Sequence, residues 1–391
     1  MTDSEFSRRR FLQGRSFLEA IRKTANGTCN IENNDLPPID EVGTSSVGWP
    51  LLRFVRRAMA SDFEVSFNRG QYPQAAEAAL AALDEVERLE YVLSAFRPES
   101  EISHINRNAG QNAVATSPET WNLLRQCQQL AHETDGAIDI SASTLWCLWG
   151  FARREGKVPS QEEVDAALQN VGPSLVQLDA ASQSVRFTKP GVEISLGCIG
   201  KGAALDSAQC KLRDLDVEHA LLHGGRSSIL AAGGRLRETW PHTAQKNVPT
   251  NARGTLLEPT RDRSVGWTVG IAHPIRKGRR LAEVRLSDEA LGTSGLQHQF
   301  FIHQGRRYGH IIDPRSGMPV EGALLVTTIA PNAALADALS TAFFILNPEQ
   351  IAEYCQQHPD ISALLVLPDE TDTGNCLILH FGFEQNQIHF L

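Results

Sequence analysis

The sequence lacks the long apolar stretch that a membrane-spanning helix requires. No run of about eighteen apolar residues occurs in its 391 residues. It also lacks a basic excess, because 37 Lys and Arg stand against 46 Asp and Glu, for a net charge of −9. There is no internal repeat, and no GxGxxG motif follows a first strand. These absences predict no transmembrane segment, no nucleic-acid partner and no Rossmann fold.

Paired cysteines are missing as well. The seven cysteines are scattered and none belongs to a CxxC motif; they occupy positions 29, 127, 147, 198, 210, 355 and 376. An odd number without the spacing of zinc ligands indicates neither a disulfide framework nor a zinc site. Buried free thiols are the simpler interpretation.

The N-terminus carries a run of arginines that has two interpretations. Residues 7–13 (SRRRFLQ) are similar to a twin-arginine export signal. Such a signal also needs an apolar stretch, but charged side chains interrupt residues 14–23 (GRSFLEAIRK). The interruption favours a basic amphipathic helix or a flexible arm, and with it a cytoplasmic location. Export stays open as the alternative.

The composition along the chain predicts an arm followed by a folded body. Residues 24–50 are rich in Asn, Asp, Pro, Gly and Ser, so we expect residues 1–50 to form an N-terminal arm and linker. The body spans residues 51–391 and contains a polar stretch with three prolines near residues 234–265, which predicts a surface insertion. Helices and strands alternate irregularly in this body, and that order is typical of an α+β fold with mixed sheets and flanking helices.

Local patterns predict the elements of the body. Helix starts are indicated by Ser117-Pro118, by the capping-box residues Ser160 and Glu163, and by Asn347-Pro348. The predicted helices are 73–93, 118–133, 160 to just before 172, 201–215 and one from 348. Apolar runs and alternation predict strands at 58–67, 192–197, 219–224, 266–273, 363–367, 376–382 and 387–391. A turn and a short strand are predicted at 135–141.

One short segment concentrates polar side chains around an Asp-Pro turn. In residues 309–320 (GHIIDPRSGMPV), alternation places His310 and Ile312 on one face of a short strand that turns at Asp313-Pro314. A histidine beside a carboxylate can take a proton from a hydroxyl or, once charged, contact a phosphate. A lone Asp-Pro turn is usually structural, and the preceding histidine makes a functional role an equal alternative.

A second segment, ALADALSTA at residues 334–342, places Asp337 and Thr341 one turn apart on a predicted helix. A carboxylate and a hydroxyl that point the same way are hard oxygen ligands, which suit Mg²⁺ and the phosphates that it bridges. Spacing alone favours a simpler alternative, in which an acid lies near a helix N-terminus and the threonine bonds to the backbone of its own helix.

Two glycine-rich turns could approach a phosphate. GCIGKGAALD (197–206) leads from a predicted strand into a helix and carries Lys201, which places a cation where a backbone can come close to an anion. No Ser or Thr follows the lysine, so this is not a Walker A loop. HGGRSS (223–228) is a second such turn and indicates little alone. LSAFRPESEISHIN (93–106) is typical of a helix exit and a capped turn.

Taken in order, these segments resemble the ApbE family, the FAD:protein FMN transferases. The resemblance runs from about Ala58 to Leu346 and depends on six motifs in family order. They are MAS (59–61), LSAFRPESEISHIN (93–106), GAID (136–139), GCIGKGAALD (197–206), HIIDPRSG (310–317) and ADALSTA (336–342). The family patterns they match include M-G-T, G-A-F-D, H-I-I-D-P-R-T-G and A-D-A-L-A-T-A. Each motif is modest alone, but their shared order makes chance a poor explanation.

The resemblance implies an ApbE-like α+β fold and a Mg²⁺-dependent reaction. That reaction splits FAD at its pyrophosphate, releases AMP and attaches FMN to a Thr or Ser hydroxyl of an acceptor protein. It implies Mg²⁺ ligands at Asp337, Thr341 and the backbone carbonyl of Cys198. His310 corresponds to the histidine near the reacting phosphate, and Asp313 to a supporting residue of the same motif. The implied FAD contacts are Met59, Phe96, Ala137, Ile138, Asp139, Lys201, Asp206 and Ile311.

The chain also departs from the family pattern. Ser195 stands where the family usually has an acid, Arg226 replaces Asn or Asp, and Cys198 replaces a small residue. Ala60 replaces a glycine and Ile140 a proline. Two alternatives to transfer stay open. One is a protein that binds FAD without turnover, which Ser195 and Arg226 favour, and the other is an FAD pyrophosphatase that releases FMN to water.

Overall fold

The computed structural model describes residues 50–236, 264–296, 299–369, 371–372 and 374–391. The arm and linker predicted for residues 1–50, with the twin-arginine-like sequence, lie outside the described residues except for Pro50. So does the larger part of the insertion predicted near residues 234–265. Both therefore stay predictions. Among the described helices, none has the length and apolar sequence needed to cross a bilayer.

The described residues contain helices and strands in irregular alternation. The helices are α1 (Ala75–Leu93), α2 (Glu101–Asn108), α3 (Pro118–Glu133), α4 (Ser143–Leu148), α5 (Gln161–Leu168), α6 (Gly200–Asp214), α7 (Ala333–Ile345) and α8 (Pro348–Gln357). The strands of the first half are β1 (Leu51–Ala58), β2 (Ser61–Asn68), β3 (Val114–Ala115), β4 (Val176–Asp179), β5 (Ser184–Phe187), β6 (Ala220–Gly224), β7 (Ser228–Ala232) and β8 (Arg235–Leu236). The strands of the second half are β9 (Ser264–Val265), β10 (Trp267–Ala272), β11 (Arg280–Leu286), β12 (Glu289–Gly295), β13 (Phe300–His303), β14 (Arg306–Gly309), β15 (Leu325–Ala330), β16 (Ser362–Pro368), β17 (Cys376–Phe381) and β18 (Ile388–Phe390).

An eight-stranded antiparallel sheet organises the body. Its strand order is β1-β2-β6-β7-β12-β15-β16-β17. One face packs against the small sheet β10-β11-β18 through an apolar cluster that includes Trp267, Ile229 and Val366. Helices α1, α6 and α7 form a second group. Helix α6 contacts both α1 and α7, and α7 packs against β12 and β15. The expected α+β class is confirmed.

Helix α7 lies in the interior. Most of its residues are buried, including Phe343 and Phe344, so its apolar side chains are in contact with protein on several sides. Two glycines let the backbone of α7 come close to its neighbours. A Cβ on Gly202 of α6 would lie 2.0 Å from the Ala333 oxygen, and one on Gly292 of β12 would lie 2.3 Å from the Ala336 oxygen. The helix that carries Asp337 is therefore held by close backbone contacts.

The locally capped helices begin as predicted. The side chains of Ser117 and Ser160 accept hydrogen bonds from the backbone N–H groups of Thr120 and Glu163, and Asn347 does the same for Gln350. The strands predicted at 219–224, 266–273, 363–367, 376–382 and 387–391 all coincide with strands of the structure. Of the described cysteines, which are all free, only Cys127 and Cys355 are fully buried, so the expectation of buried thiols holds for these two.

The single strand predicted at 58–67 is wrong, because residues 58–67 contain a hairpin turn. Ala58 pairs with Ser61, and the two residues between them have left-handed backbones, with φ of 48° at Met59 and 57° at Ala60. This two-residue turn usually uses Asn and Gly. Neither occurs here, so the alternation of β1 and β2 concealed the turn.

Three further segments predicted as strands are not strands in the structure. Their backbone groups bond to side chains or lie in loops instead of pairing with a neighbouring strand. Ile194 bonds through both its N–H and its carbonyl to the side chain of Asn106, so residues 192–197 join no sheet. Asp139 caps a short 3₁₀ helix, Ile140–Ala142, within the segment predicted as a turn and strand. Strand β14 ends at Gly309, and Ile312 forms only an isolated bridge with Pro319.

Candidate active site

Helix α7 places Asp337 and Thr341 one turn apart, as the spacing predicts. The Asn332 side chain accepts a hydrogen bond from Leu335 N at 2.9 Å and caps the helix. The Thr341 hydroxyl donates to the Asp337 carbonyl at 3.3 Å and lies 3.4 Å from the Ser294 hydroxyl of β12. Thr341 thus bonds to the backbone of its own helix, as the simpler interpretation of the spacing expects. Its hydroxyl oxygen nevertheless lies near the Ser294 hydroxyl.

Asp337 is the most constrained acid of the site. Its side chain is buried, and Oδ2 accepts hydrogen bonds from Gly202 N and from the Ser228 hydroxyl, each at 2.8 Å. No described residue donates a hydrogen bond to its other oxygen, Oδ1. Burial raises the pKa of Asp337 to about 6, while the charge of Lys201 and the two hydrogen bonds oppose the rise. A buried carboxylate with one oxygen fixed and one open is suited to a cation.

Lys201 lies beside this carboxylate in the first turn of α6. Its ammonium group donates to the Ser227 hydroxyl. Ser227 belongs to the turn between β6 and β7, where Gly225 has a left-handed backbone with φ of 70°, and Ser228 is the first residue of β7. The turn predicted as GGRSS thus supplies a hydroxyl to the lysine and a hydroxyl to the acid.

The β1–β2 hairpin reaches the same turn. A Cβ on Gly225 would lie 3.1 Å from the Ser61 hydroxyl, and Gly225 N donates to the Asp62 carbonyl at 2.9 Å. Met59, an implied FAD contact, is at the tip of this hairpin and is half-buried. Its left-handed backbone is a strained conformation of the kind found at ligand sites.

Cys198 lies close to both Asp139 and Asp337, whose negative charges, together with burial as the largest cause, raise the pKa of its thiol to about 12. Burial and the two acids thus favour the protonated thiol at neutral pH. No described backbone N–H donates to the Cys198 carbonyl, which leaves that oxygen available for the role implied for it. Burial likewise raises the pKa of Asp139, against the hydrogen bonds from Ser141.

His310 is half-buried next to β14. Its ring Nδ1 lies 3.1 Å from the Gln299 carbonyl oxygen, which can only accept, and its backbone N–H donates to the same oxygen at 3.2 Å. The Phe151 ring meets the imidazole edge-to-face at 6.5 Å. The Gln299 carbonyl and the Phe151 ring thus both contribute to the orientation of the imidazole.

Asp313 braces the turn that follows. Both of its oxygens accept from the Arg315 guanidinium, at 2.8 and 2.9 Å, and its backbone carbonyl accepts from Gly317 N at 2.8 Å. Arg315 in turn packs over Gly136, at the start of the GAID motif. The turn therefore connects the His310 segment to the segment that carries Asp139, and the supporting role implied for Asp313 stays a prediction.

The remaining predicted FAD contacts differ in exposure. Phe96 is 70% exposed and lies 6.3 Å from the Trp146 ring, so its face is available for stacking. The side chains of Ala137, Ile138 and Ile311 are buried, which leaves a ligand contact to their backbones.

Asp206 lies on α6 five residues after Lys201, and its charge also raises the pKa of Asp337. Its two oxygens accept from Ala333 N at 2.7 Å and Ala334 N at 2.9 Å, so it caps α7 from α6. It also borders a cavity of about 600 Å³ between α3 and α6 that contains none of the implied Mg²⁺ ligands. Its contact with FAD stays a prediction.

The structure thus brings Asp337, Thr341, Lys201, Cys198 and Asp139 into one cluster. Sequence reasoning missed Ser228, Gly202 and Gln299 as its supporting residues. The only signal was the small residue after Lys201 and the serines after the second glycine turn. In the described residues no group of three or more His, Cys, Asp or Glu side chains could hold a metal. One carboxylate with neutral oxygens nearby fits Mg²⁺, which keeps waters and takes phosphate ligands.

Comparison with known proteins gives the family of the chain. The family model described as the ApbE family matches residues 59–365. The chain belongs to the ApbE family. It is 29% identical over 283 residues to an FAD:protein FMN transferase of Klebsiella pneumoniae, covering 72% of this chain and 79% of that relative. It is 30% identical over 301 residues to one of Treponema pallidum, covering 74% and 78%.

The fold agrees with solved ApbE structures. The crystal structure of an ApbE protein from Thermotoga maritima matches with a TM-score of 0.68 and 28% identity, over 81% of this chain and 94% of that one. The prediction of an ApbE-like fold is confirmed. His310, Asp337 and the GKG turn lie within the matched range of this ApbE chain.

Proposed function

We propose that the protein is a Mg²⁺-dependent FAD:protein FMN transferase that attaches FMN through a phosphoester to a Thr or Ser of an acceptor protein. The observation that carries the proposal is the environment of Asp337. Its carboxylate is buried beside Lys201 and is held by Gly202 and Ser228, and no described residue donates to its second oxygen. Mg²⁺ at this acid would neutralise charge on the pyrophosphate of FAD.

Lys201 and His310 are the other residues to which we assign a role in the reaction. Lys201 places a second positive charge beside the acid, suited to a phosphate oxygen of FAD. The His310 ring directs Nδ1 at the Gln299 carbonyl, and we assign this imidazole to take the proton of the acceptor hydroxyl. That oxygen attacks the phosphorus of the FMN half, the P–O bond to the bridging oxygen breaks, and AMP leaves with the electron pair. Phosphoryl-type transfer of this kind depends on positioning and charge neutralisation.

The exposed Phe96 suits the flavin end of FAD. Its open face and its neighbour Trp146 offer an aromatic surface at the exit of α1. The Met59 hairpin approaches the β6–β7 turn at Gly225, and Ser228 after that turn donates to Asp337. These positions support contacts along the length of a dinucleotide.

One experiment distinguishes transfer from its two alternatives. The purified protein is incubated with FAD, Mg²⁺ and a peptide library with a central threonine and randomised flanks, with EDTA or alanine-centred peptides as controls. AMP together with fluorescent peptide supports transfer. AMP without labelled peptide indicates a pyrophosphatase, and bound FAD without AMP indicates a carrier, the outcome that Ser195 and Arg226 favour. Labelling that persists in EDTA would contradict the metal requirement.

A further inference from the structure

A second cavity is lined by two residues that contact His310, namely Gln299 and Phe151. Its volume is about 310 Å³, and it opens between the loop after α4 and the first residues of β13. Its walls include Phe151, Gln299, Phe301 and the backbones of Gly150 and Gly156. None of the residues implied for FAD or Mg²⁺ lines it.

Two of these walls are the groups that orient His310. The Gln299 carbonyl lies 3.1 Å from the imidazole Nδ1, and the Phe151 ring meets the imidazole edge-to-face. The Gln299 side chain also donates to the Phe151 carbonyl at 3.0 Å, which ties the two walls together. A molecule in this cavity would therefore contact both groups that orient the imidazole and none of the residues implied for FAD or Mg²⁺.

The β13–β14 hairpin extends this cavity into an exposed apolar surface. Phe300 is 45% exposed and Ile302 66% exposed, and both point to the same face of β13 because they are two residues apart. The intervening Phe301 stacks on Tyr308 at 5.2 Å on the other face. Within the described chain β13 pairs with β14 alone, so its second edge is open to main-chain hydrogen bonds.

Positively charged side chains at the edge of the cavity indicate the charge of the partner. Arg154 lines the cavity, and Arg153 is exposed next to it. Neither guanidinium is ion-paired with a carboxylate of the described residues. An open strand edge, an apolar face and unpaired arginines together suit an extended segment that carries an apolar side chain and a carboxylate.

We propose that this cavity and the outer face of β13 are the docking surface of the acceptor protein. An extended acceptor segment lies along β13, its carboxylate meets Arg154, and its hydroxyl is brought to His310. The inference rests on the proposed transferase function, since a two-substrate transfer needs a second subsite beside the group that takes the acceptor proton.

The test uses a peptide that the wild-type protein labels in the threonine library. The variants Ile302→Glu and Arg154→Glu change exposed side chains, with Leu80→Glu on α1 and Arg125→Glu on α3 as matched controls at exposed sites elsewhere. We expect each docking variant to raise the KM for the peptide about tenfold or more, as loss of a contact worth about 1.4 kcal/mol would. The KM for FAD and both control variants should stay near wild type. Labelled peptides should share a carboxylate and an apolar residue.

Four outcomes would overturn the docking surface. They are an unchanged peptide KM in both variants, a KM for FAD that rises with it, labelled peptides without a shared carboxylate, and AMP release with no labelled peptide. A wild-type dimer that Ile302→Glu dissociates, with the peptide KM unchanged, would assign the surface to a second copy instead. A wild-type protein that releases no AMP would overturn the proposed function itself, so the two failures are distinguishable.

Discussion

At the scale of single residues, the site depends on the small number of hydrogen bonds donated to the Asp337 carboxylate. Asp337 accepts two hydrogen bonds on one oxygen, and no described residue donates to the other. Burial of a charge costs free energy unless a partner offsets it. The raised pKa of Asp337, about 6, expresses that cost in the protein without a cation.

Asp337→Asn keeps the shape and removes the charge. The amide oxygen can still accept from Gly202 N and Ser228, so we expect a folded protein whose melting temperature without Mg²⁺ is equal or higher. Partners one shell from a metal change affinity by about 10- to 100-fold, so loss of this ligand should lower Mg²⁺-dependent AMP release by at least about 100-fold. Asp288→Asn, at an exposed turn, is the matched control. Wild-type rates in Asp337→Asn would remove the metal from this position.

His273 provides a pH test outside the site. Its Nδ1 accepts from Ile275 N and Arg276 N, each at 3.1 Å, and burial, followed by the charges of Arg276 and Arg279, lowers its pKa. Because the pKa of His273 is lower in the folded protein, the unfolded chain takes up the proton at a higher pH than the folded protein does. The stability contributed by neutral His273 is therefore complete above the unfolded value of about 6.5 and is lost as the pH falls through the lower folded value.

His273→Asn retains an acceptor without the titration. We expect the melting temperatures of wild type and variant to diverge below about pH 6.5, with the wild type falling faster. For the control variant His389→Asn, at an exposed position, the curve of melting temperature against pH should run parallel to that of wild type. Parallel curves for His273→Asn as well would show that this ring is not the titrating group.

At the scale of elements, close contact between α6 and α7 fixes the site. Gly202 serves twice, since its N–H bonds Asp337 and its missing side chain lets the Ala333 carbonyl approach. Gly200, two residues earlier in the same helix, has no heavy atom within 4 Å of a built Cβ. The two glycines therefore form a matched pair with opposite expectations.

Gly202→Ala should cost at least about 3 kcal/mol of unfolding free energy, because the clash is with backbone that cannot rotate away. Gly200→Ala should be neutral or add up to about 1 kcal/mol through helix propensity. Denaturant unfolding of both variants measures the difference. Equal stabilities would mean that α6 and α7 are free to separate.

The elements also show what a sequence can and cannot predict here. The starts of α3, α5 and α8 were predictable because Ser117, Ser160 and Asn347 act on backbone three residues away. The turn at Met59-Ala60 was not, because neither residue favours the left-handed backbone it adopts. Asp337 and Thr341 were predictable from helical spacing and family order. Ser228 was not, because it contacts Asp337 across 109 residues and no local pattern marks such a contact.

At the scale of the whole molecule, the large sheet is built from strands at both ends of the described chain. Strand β8 follows β7 of this sheet, and β9 precedes β10 of the small sheet. Leu236 of β8 pairs with Ser264 of β9. Two paired residues of an antiparallel ladder can be joined by a two-residue turn. The body can therefore be closed without residues 237–263.

We expect replacement of residues 237–263 by Asn-Gly to leave the fold and AMP release near wild type, as predicted for a surface insertion. Thermal unfolding and the FAD assay measure both. A Gly-Ser linker of the original length separates the effect of sequence from that of chain closure. Loss of activity in both versions, with the melting temperature retained, would assign the segment a part in the reaction.

The distances along the chain between the partners of Asp337 have a consequence for the order of events during synthesis. Gly202 precedes Asp337 by 135 residues and Ser228 precedes it by 109. A chain emerging from the ribosome has the lysine, the glycine turn and the Met59 hairpin long before it has the acid. Until α7 is made and inserted, an unfinished chain lacks the group around which the proposed reaction is organised, so it would not consume FAD.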